Sequence, residues 1–518
     1  MLGFFFQSMH VPQKVIKTLA HIGISISNKS ITTATRALLV QSQSKLRELG
    51  QSLLAAYAYD NFDVDLKSYV SVVEKTSTSL KHLTSGLLFP LAHGVTTNHL
   101  KCSAELWKKS LLNAEAKEED LPPKRTWQDL LVLHPESSST PQTSPFLSHR
   151  NKFNSWIFLY DLCTNGPSYF HQFKPFLHEP DVIEKIPLLK TPLTPACAMD
   201  INNSTVSGNI CAVVDLLAQG GVYSRDDTYF EDSGSPDLTP YVVLIHGDLG
   251  TGEHLQAVQI RRSLEATPWD RFQHVVFTPG LFHLKMACAD ALWRCFIQPL
   301  TMREDETSLM CDVSQLRPRE TGIIGSKPGF HRVHQLISHA GIVRRLDCWC
   351  VYVQKKNAQW TSLEAFAASN PTLDDLKTWA DDIALEYIAS SYLLYNMRQR
   401  KPSQCDMQFE NALLLNKYFL LYEEITYAMN LGDIGRVETC IISWIPILKA
   451  VGKHKYATHM TNFLLDVHFV YPPGLRLVDD RTQRRRLTLM IYQDMLSDTI
   501  CLSTQQERKK NGAALTGA

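Results

Sequence analysis

Apolar positions recur at helical spacing twice near the start of the chain. Val15, Ile16, Leu19, Ala20 and Ile22 form one run before Gly23, and Ile31 to Leu39 form another after Ser30, which is placed to cap it. Such a pair reads either as a helix-turn-helix for DNA or as an ordinary helical hairpin. The recognition helix of the former wants an apolar residue where this chain has Lys29, which favours the hairpin. The pattern then changes. Leu53-Leu-Ala-Ala-Tyr-Ala-Tyr59 is a continuous apolar run closed by Asp60-Asn61, as expected of a strand buried on both faces. Tyr69 to Val73 and Leu80 to Phe89 are the expected neighbouring strands. Glu118 to Pro123 and Pro135 to Pro141 mark residues 113–150 as an insertion or linker.

The strongest strand signal is Tyr241-Val-Val-Leu-Ile245, followed by the glycine-rich turn His246-Gly-Asp-Leu-Gly-Thr-Gly252 and a helical pattern from Glu253 to Ala266. A second strand, Phe272 to Phe277, leads through Thr278-Pro-Gly280 into a helix over Phe282 to Phe296. Strand, turn, helix and strand in that order predict a parallel α/β unit. From about 370 to 470 the periodicity is almost wholly helical, with segments Ile383–Tyr395, Leu413–Met429, Val437–Val451 and Tyr456–Val467. The organisation expected is an N-terminal helical region (1–50), a first part of an α/β core (51–112) and an insertion with a helical segment (113–236). A second part of the core (237–369), a helical region (370–475) and a basic, partly disordered tail (476–518) complete it.

Composition narrows the function. Hydrophobic residues make up 44% of the 518 and charged residues 20%, enough apolar material for a real core. Lys plus Arg equals Asp plus Glu at 52 each, which excludes a uniformly basic protein. The balance is an average: residues 1–112 hold 12 basic and 6 acidic side chains, and Arg481-Thr-Gln-Arg-Arg-Arg486 and Arg508-Lys-Lys510 add positive charge at the other end. The 12 cysteines are dispersed with no zinc spacing, so reduced thiols in a reducing compartment are expected. Met1-Leu-Gly-Phe-Phe-Phe6 lacks the basic start and the apolar length of a signal peptide, and no run approaches the ~20 residues that span a bilayer. The expectation is an intracellular protein, nuclear or cytoplasmic, without a membrane partner.

Two familiar chemistries fail on their own motifs. Val242-Val-Leu-Ile-His-Gly247 resembles the oxyanion turn of α/β-hydrolases, but the chain has no Gly-x-Ser-x-Gly; the nearest piece, Ile324 to Gly329, has its glycines misplaced. Gly247 to Gly252 resembles a phosphate loop, yet Glu253-His254 stand where Lys and Ser/Thr are required. What remains is a pair of carboxylates, Asp60 and Asp248, each following a buried apolar run. At adjacent strand ends, two such acids can share divalent ions that clamp phosphoryl oxygens, and Mg²⁺ or Mn²⁺ suits oxygen ligands. The plainer alternative makes both aspartates turn formers bonded to their own backbone. His283, where the second strand passes into a helix, is a candidate to orient a phosphate or hold a carboxylate, or else a structural histidine. Lys285 and Arg294 add positive charge beside it.

Taken together, these segments resemble the domain-of-unknown-function 6589 family, abundant in fungi. The residues that carry the resemblance are Tyr59-Asp-Asn-Phe-Asp63, Asn203-Ser-Thr-Val-Ser-Gly-Asn209, Gly247-Asp-Leu-Gly-Thr251, Pro279 to Met286, Gly432-Asp-Ile-Gly-Arg436, Trp444 and Lys455-Tyr456, over about residues 10–475. The layout is further similar to the RNase H-like domain of hAT-type transposases, in which two aspartates end successive strands and a large helical insertion precedes a catalytic glutamate. The resemblance implies an α/β fold: an RNase H-like mixed sheet core interrupted by insertions, with a large, mainly helical C-terminal region. It implies metal-dependent phosphodiester cleavage or strand transfer on DNA, with Asp60, Asp248 and His283 in the catalytic site and Asp60 and Asp248 as metal ligands. Mg²⁺ or Mn²⁺ is the implied cofactor, with no small-molecule cofactor. Family members often carry Gly-Asp-Gln where this chain has Gly247-Asp248-Leu249. They often continue to a late Asp-x-x-x-Glu, where this chain runs through Val478-Asp-Asp into its basic stretch. Glu438 is the remaining candidate for the third acid. The alternative is an inactive DNA- or protein-binding module of the same fold.

Overall fold

The computed structural model describes residues 2–9, 11–65, 80–92, 94–133, 148–223, 234–303, 305 and 308–476. The expected strand at Tyr69–Val73, the segment Pro135–Pro141, the Val478-Asp-Asp stretch and the basic clusters after Arg481 lie outside the described residues. In chain order, the elements that matter begin with helices α1 (Gln13–His21) and α2 (Asn28–Gln51), strands β1 (Ala55–Asp65) and β2 (Leu80–Pro90), and helix α3 (His149–Asn165). Strand β3 (Thr194–Pro195), helix α4 (Val206–Gln219), strand β4 (Val243–Gly247), helix α5 (Leu249–Arg262) and strand β5 (Val275–Pro279) follow. Helices α6 (Leu281–Phe296), α7 (Phe330–Lys356), α8 (Leu373–Glu386) and α9 (Ser391–Arg398) come next. The last are α10 (Met407–Leu431), α11 (Ile434–Ala450) and α12 (His454–Leu465).

The chain divides into two compact units. Among the described residues, the first is drawn from Met1–Pro122, Thr191–Pro279 and Tyr471–Thr482, the second from Pro123–Lys190 and Gly280–Val470. The first holds a mixed sheet in the order β3-β2-β1-β4-β5. β1 and β2 are antiparallel over their full length, whereas β1, β4 and β5 run parallel. On one face Tyr57 and Tyr59 of β1, Leu88 of β2 and Val243 and Ile245 of β4 pack against Ala212, Val213 and Leu216 of α4 and Leu255 and Val258 of α5. On the other, Ala56, Ala58, Phe89, Leu244 and His246 are equally buried. Burial on both sides explains the continuous apolar run that introduces β1.

Several elements differ from the sequence expectation in instructive ways. β1 does not end at Asp60 but continues to Asp65, because β2 pairs with it as far as Asp65↔Leu80. α2 is capped three residues earlier than Ser30, by Ser27, whose hydroxyl accepts from the Ser30 N–H. Ile383–Tyr395 is not one helix: α8 stops at Glu386, Ser390 caps α9, and the Ala389 N–H between them donates to the Leu413 carbonyl.

The second unit is helical. Its core gathers Phe158 and Leu162 of α3, Trp349 and Val353 of α7, Leu376 and Ile383 of α8 and Leu413 and Leu420 of α10. Among the described residues no helix is long and apolar enough to cross a membrane.

Candidate functional site

The first unit brings Asp60 and Asp248 to the same region of its sheet. Pairing of Tyr57 with Ile245 and of Ala58 with His246 sets the parallel register of β1 and β4. Alternation puts Ala58 and Asp60 on one face of β1, opposite the face of Tyr57 and Tyr59. Continuing the register by two residues leads from Asp60 to Asp248, which lies just beyond Gly247 and outside β4; its charge acts on the Tyr59 phenol, on the face opposite Asp60. Ser85, the β2 partner of Asp60, occupies the same row, and its hydroxyl donates to the Asp60 carbonyl at 3.3 Å.

Each carboxylate also has a local task. Asp248 is the N-cap of α5: its Oδ1 accepts from the Thr251 N–H at 2.7 Å, in the extended conformation a cap requires. Oδ1 of Asp60 accepts from the Asn61 N–H at 2.8 Å. Gly247 leaves room for this turn, since a Cβ there would lie 2.6 Å from Thr251 Cγ2. Gly252 lets α5 close onto β5, where a Cβ would meet the Phe277 ring at 2.4 Å. The glycines of this motif therefore serve the tight strand-to-helix turn and the packing of the helix.

Nearby, the Tyr59 segment interlocks with the Asn203–Asn209 segment. The Tyr59 hydroxyl donates to Asn209 Oδ1 at 2.7 Å, and the Asn209 amide donates to the carbonyls of Asn203 and Thr205. Thr205 caps α4 by accepting from the Gly208 N–H, and Gly208 presses against the Asn202 carbonyl, with only 1.8 Å for an added Cβ. Burial first, and then the negative charge of Asp248, push the Tyr59 phenol well above its ordinary pKa, so it stays a hydrogen-bond donor. Tyr59 thus ties β1 to the start of α4. The Asn203–Asn209 segment was legible in the sequence only as a signature, not as a helix start whose asparagine is held by a strand some 150 residues away.

The remaining candidates belong to the second unit. His283 lies in the first turn of α6, half-buried, with its ring 6.3 Å from that of Phe282. Lys285, on the next turn, is half-buried, and burial pushes it down to about 8. Arg294 is paired with Asp290 at 2.8 Å. Glu438 lies on α11, buried, with Oε2 3.2 Å from His468 Nε2. Among the described residues no group of three His, Cys, Asp or Glu side chains is placed to hold a metal ion. Carboxylate oxygens such as those of Asp60 and Asp248 are hard donors of the kind that Mg²⁺ and Mn²⁺ take.

Comparison with known proteins adds one finding. A model of a family of unknown function (DUF6589) matches residues 124–478. That span contains the Asn203, Asp248, His283 and Asp433 segments and begins after the Tyr59–Asp63 segment. No curated protein and no solved structure matches the chain at a significant level.

Proposed function

The chain belongs to the family of unknown function (DUF6589), and from that premise we propose that it carries a transposase-derived, RNase H-like core acting on the phosphodiester backbone of DNA. One observation carries this reading: the parallel register of β1 and β4 sets Asp60 of β1 beside the carboxyl end of β4, where Asp248 caps the helix that follows. Ligand chemistry concentrates at such strand ends in parallel α/β sheets. Asp60 and Asp248 would hold a Mg²⁺ or Mn²⁺ ion, whose charge neutralises phosphoryl oxygens during in-line displacement. The chain's own contribution is orientation. The Thr251 N–H fixes the Asp248 carboxylate, and the Tyr59–Asn209 hydrogen bond holds the strand on which Asp60 sits. A DNA substrate puts the protein in the nucleus.

The test is nicking of supercoiled plasmid with Mg²⁺ or Mn²⁺. Asp248→Asn is the informative variant, because asparagine caps a helix as well as aspartate does but carries no charge. We expect Asp60→Asn and Asp248→Asn each to lower nicking by roughly a hundredfold or more with unchanged thermal unfolding, and EDTA to abolish it. Wild-type protein that does not nick, or variants that nick normally, would sink the catalytic reading. A second reading, a non-catalytic DNA- or protein-binding module, is favoured by the local task of each carboxylate, Asp248 capping a helix and Asp60 accepting from the Asn61 N–H. It predicts salt-dependent DNA binding with no nicking.

A further inference from the structure

Arg345, midway along α7, is buried and faces carboxyl groups from two other helices of the second unit. Asp161 of α3 places Oδ2 2.6 Å from the Arg345 Nε. Glu423 of α10 accepts from Nη2 through Oε1 at 3.2 Å and places Oε2 2.8 Å from Nη1. One guanidinium therefore clamps α3 and α10 onto α7. Gly341, one turn earlier on α7, makes the room: a Cβ there would lie 2.7 Å from Glu423 Oε1 and 2.9 Å from Arg345 Nη1. Asp161 is buried. Glu423 is half-buried, but its Oε2 is sealed from solvent and lies beside Nη1 without the alignment of a hydrogen bond.

The charges of this cluster do not balance. With both carboxyls ionised, two negative charges share one buried cation. Among the described residues Arg345 is the one cation that acts on either of them. The adjacent network is different: Glu424, next in the chain, and Asp433 are matched by Arg150 and Arg436. Charged groups on the helices packed around the cluster are engaged elsewhere. On α11, Arg436 holds Glu424 and Asp433; on α6, Asp290 takes Lys453 and Arg294, and Lys285 bears on His334. On α7, Arg344 pairs with Asp312, and on α8, Asp381 takes the Ser155 hydroxyl. An uncompensated buried charge is costly, and a carboxyl placed in this way keeps its proton instead. Burial, eased by Arg345 and reinforced by Asp161, pushes the Glu423 carboxyl up to about 7. Burial raises Asp161 as well, against the pull of Arg345. Because the two carboxyls are coupled through one cation, the proton belongs to the pair.

We propose that the Asp161–Arg345–Glu423 cluster is a proton-dependent brace: it ties α3, α7 and α10 together with one carboxyl protonated, and the helical unit weakens when that proton leaves for solvent. The folded cluster holds a proton that the unfolded chain releases near pH 4.5, the ordinary value for glutamate. The stability it lends is therefore complete below that pH and is lost as the pH rises through about 7. The test is urea unfolding of the full chain between about pH 5 and pH 8. Its first variant is Glu423→Gln, which keeps the shape and the oxygen that accepts from Arg345 but cannot ionise. Relative to that variant, the folding constant of the wild type should fall roughly tenfold per pH unit from about pH 5 to 7. Calorimetry at about pH 6, in two buffers of different ionisation enthalpy, should show the wild type releasing about one proton more on unfolding than Glu423→Gln. Asp161→Asn leaves Glu423 and Arg345 as a balanced pair, so its slope should move to lower pH. A contact of structural value alone would weaken both variants by the same factor at every pH. Parallel pH curves for the wild type and the two variants, or equal proton release, overturn the proposal.

Discussion

Asp433 is buried, and its carboxylate serves four donors. It accepts from the N–H groups of Ile183 and Glu184 at 3.1 and 2.9 Å, caps α11 at the Arg436 N–H, and pairs with the Arg436 guanidinium. Arg436 in turn reaches Glu424 at 3.0 Å and the Asp181 carbonyl, while Arg150 holds the other Glu424 oxygen at 2.8 Å. Buried charges persist only when each is paired and hydrogen-bonded. Arg436→Met leaves Glu424 and Asp433 without their shared cation, so we expect a loss of about 3–5 kcal/mol in urea unfolding; a loss below about 1 kcal/mol contradicts it. The Gly432–Arg436 segment was legible as a signature, but its structural purpose was not. Its partners at 181–184 lie some 250 residues upstream, and nothing local says that both charges point inward. His274 makes a second residue-scale case. It stacks on Trp269 at 4.9 Å and is fully buried, which pushes it down to about 4. The folded state keeps it neutral while the unfolded chain takes up a proton near pH 6.5. Its contribution is therefore complete above that pH and is lost as the pH falls towards 4. Stability measured from pH 7 to 4 should fall by about 3 kcal/mol on this account, and His274→Phe should remove that share of the slope; an unchanged slope refutes the assignment.

The Gly247–Gly252 turn shows at the level of elements how far a pattern can be read. Strand, turn, helix and strand were all visible, and β4 and β5 are parallel as that order predicts. The turn's resemblance to a phosphate loop came from its glycines, which here admit Thr251 and the Phe277 ring. Capping by Asp248 is the plain turn-forming reading, and it engages one of the two carboxylate oxygens. Asp248→Ala should cost about 1 kcal/mol through the lost cap, whereas Asp248→Asn should cost a few tenths at most. Equal losses in the two variants, by thermal unfolding, would show that charge rather than capping stabilises the turn. Other boundaries were illegible for a local reason. Ser27 and Ser30 are both good caps by residue type, and the structure uses the first. Nor does periodicity register the break at Tyr387–Ser390, where apolar residues continue and the Ala389 N–H finds the Leu413 carbonyl.

Two units drawn from interleaved pieces of one chain are harder to see in a sequence than any helix. β1 and β4 are neighbours although nearly 200 residues separate them, and those residues include α3 of the other unit. The sequence supports one interrupted core because its apolar strands are few and scattered; it does not reveal that the helices around them build a second core. Each unit has its own apolar cluster, one centred on Tyr57, Leu216 and Ile245, the other on Phe158, Trp349 and Ile383. A cluster closed upon itself is a cooperative unit, so separate clusters predict separate unfolding events. Calorimetry of the full chain should resolve two transitions. Leu216 is fully buried under the sheet, and Leu216→Ala should destabilise the first unit by about 2–5 kcal/mol and lower one transition alone. Ile383→Ala, at an equally buried site between α8 and its neighbours, should lower the other. A single transition that moves with both substitutions would mean that the two cores fold as one, and the nicking variants would then have to be compared at matched global stability.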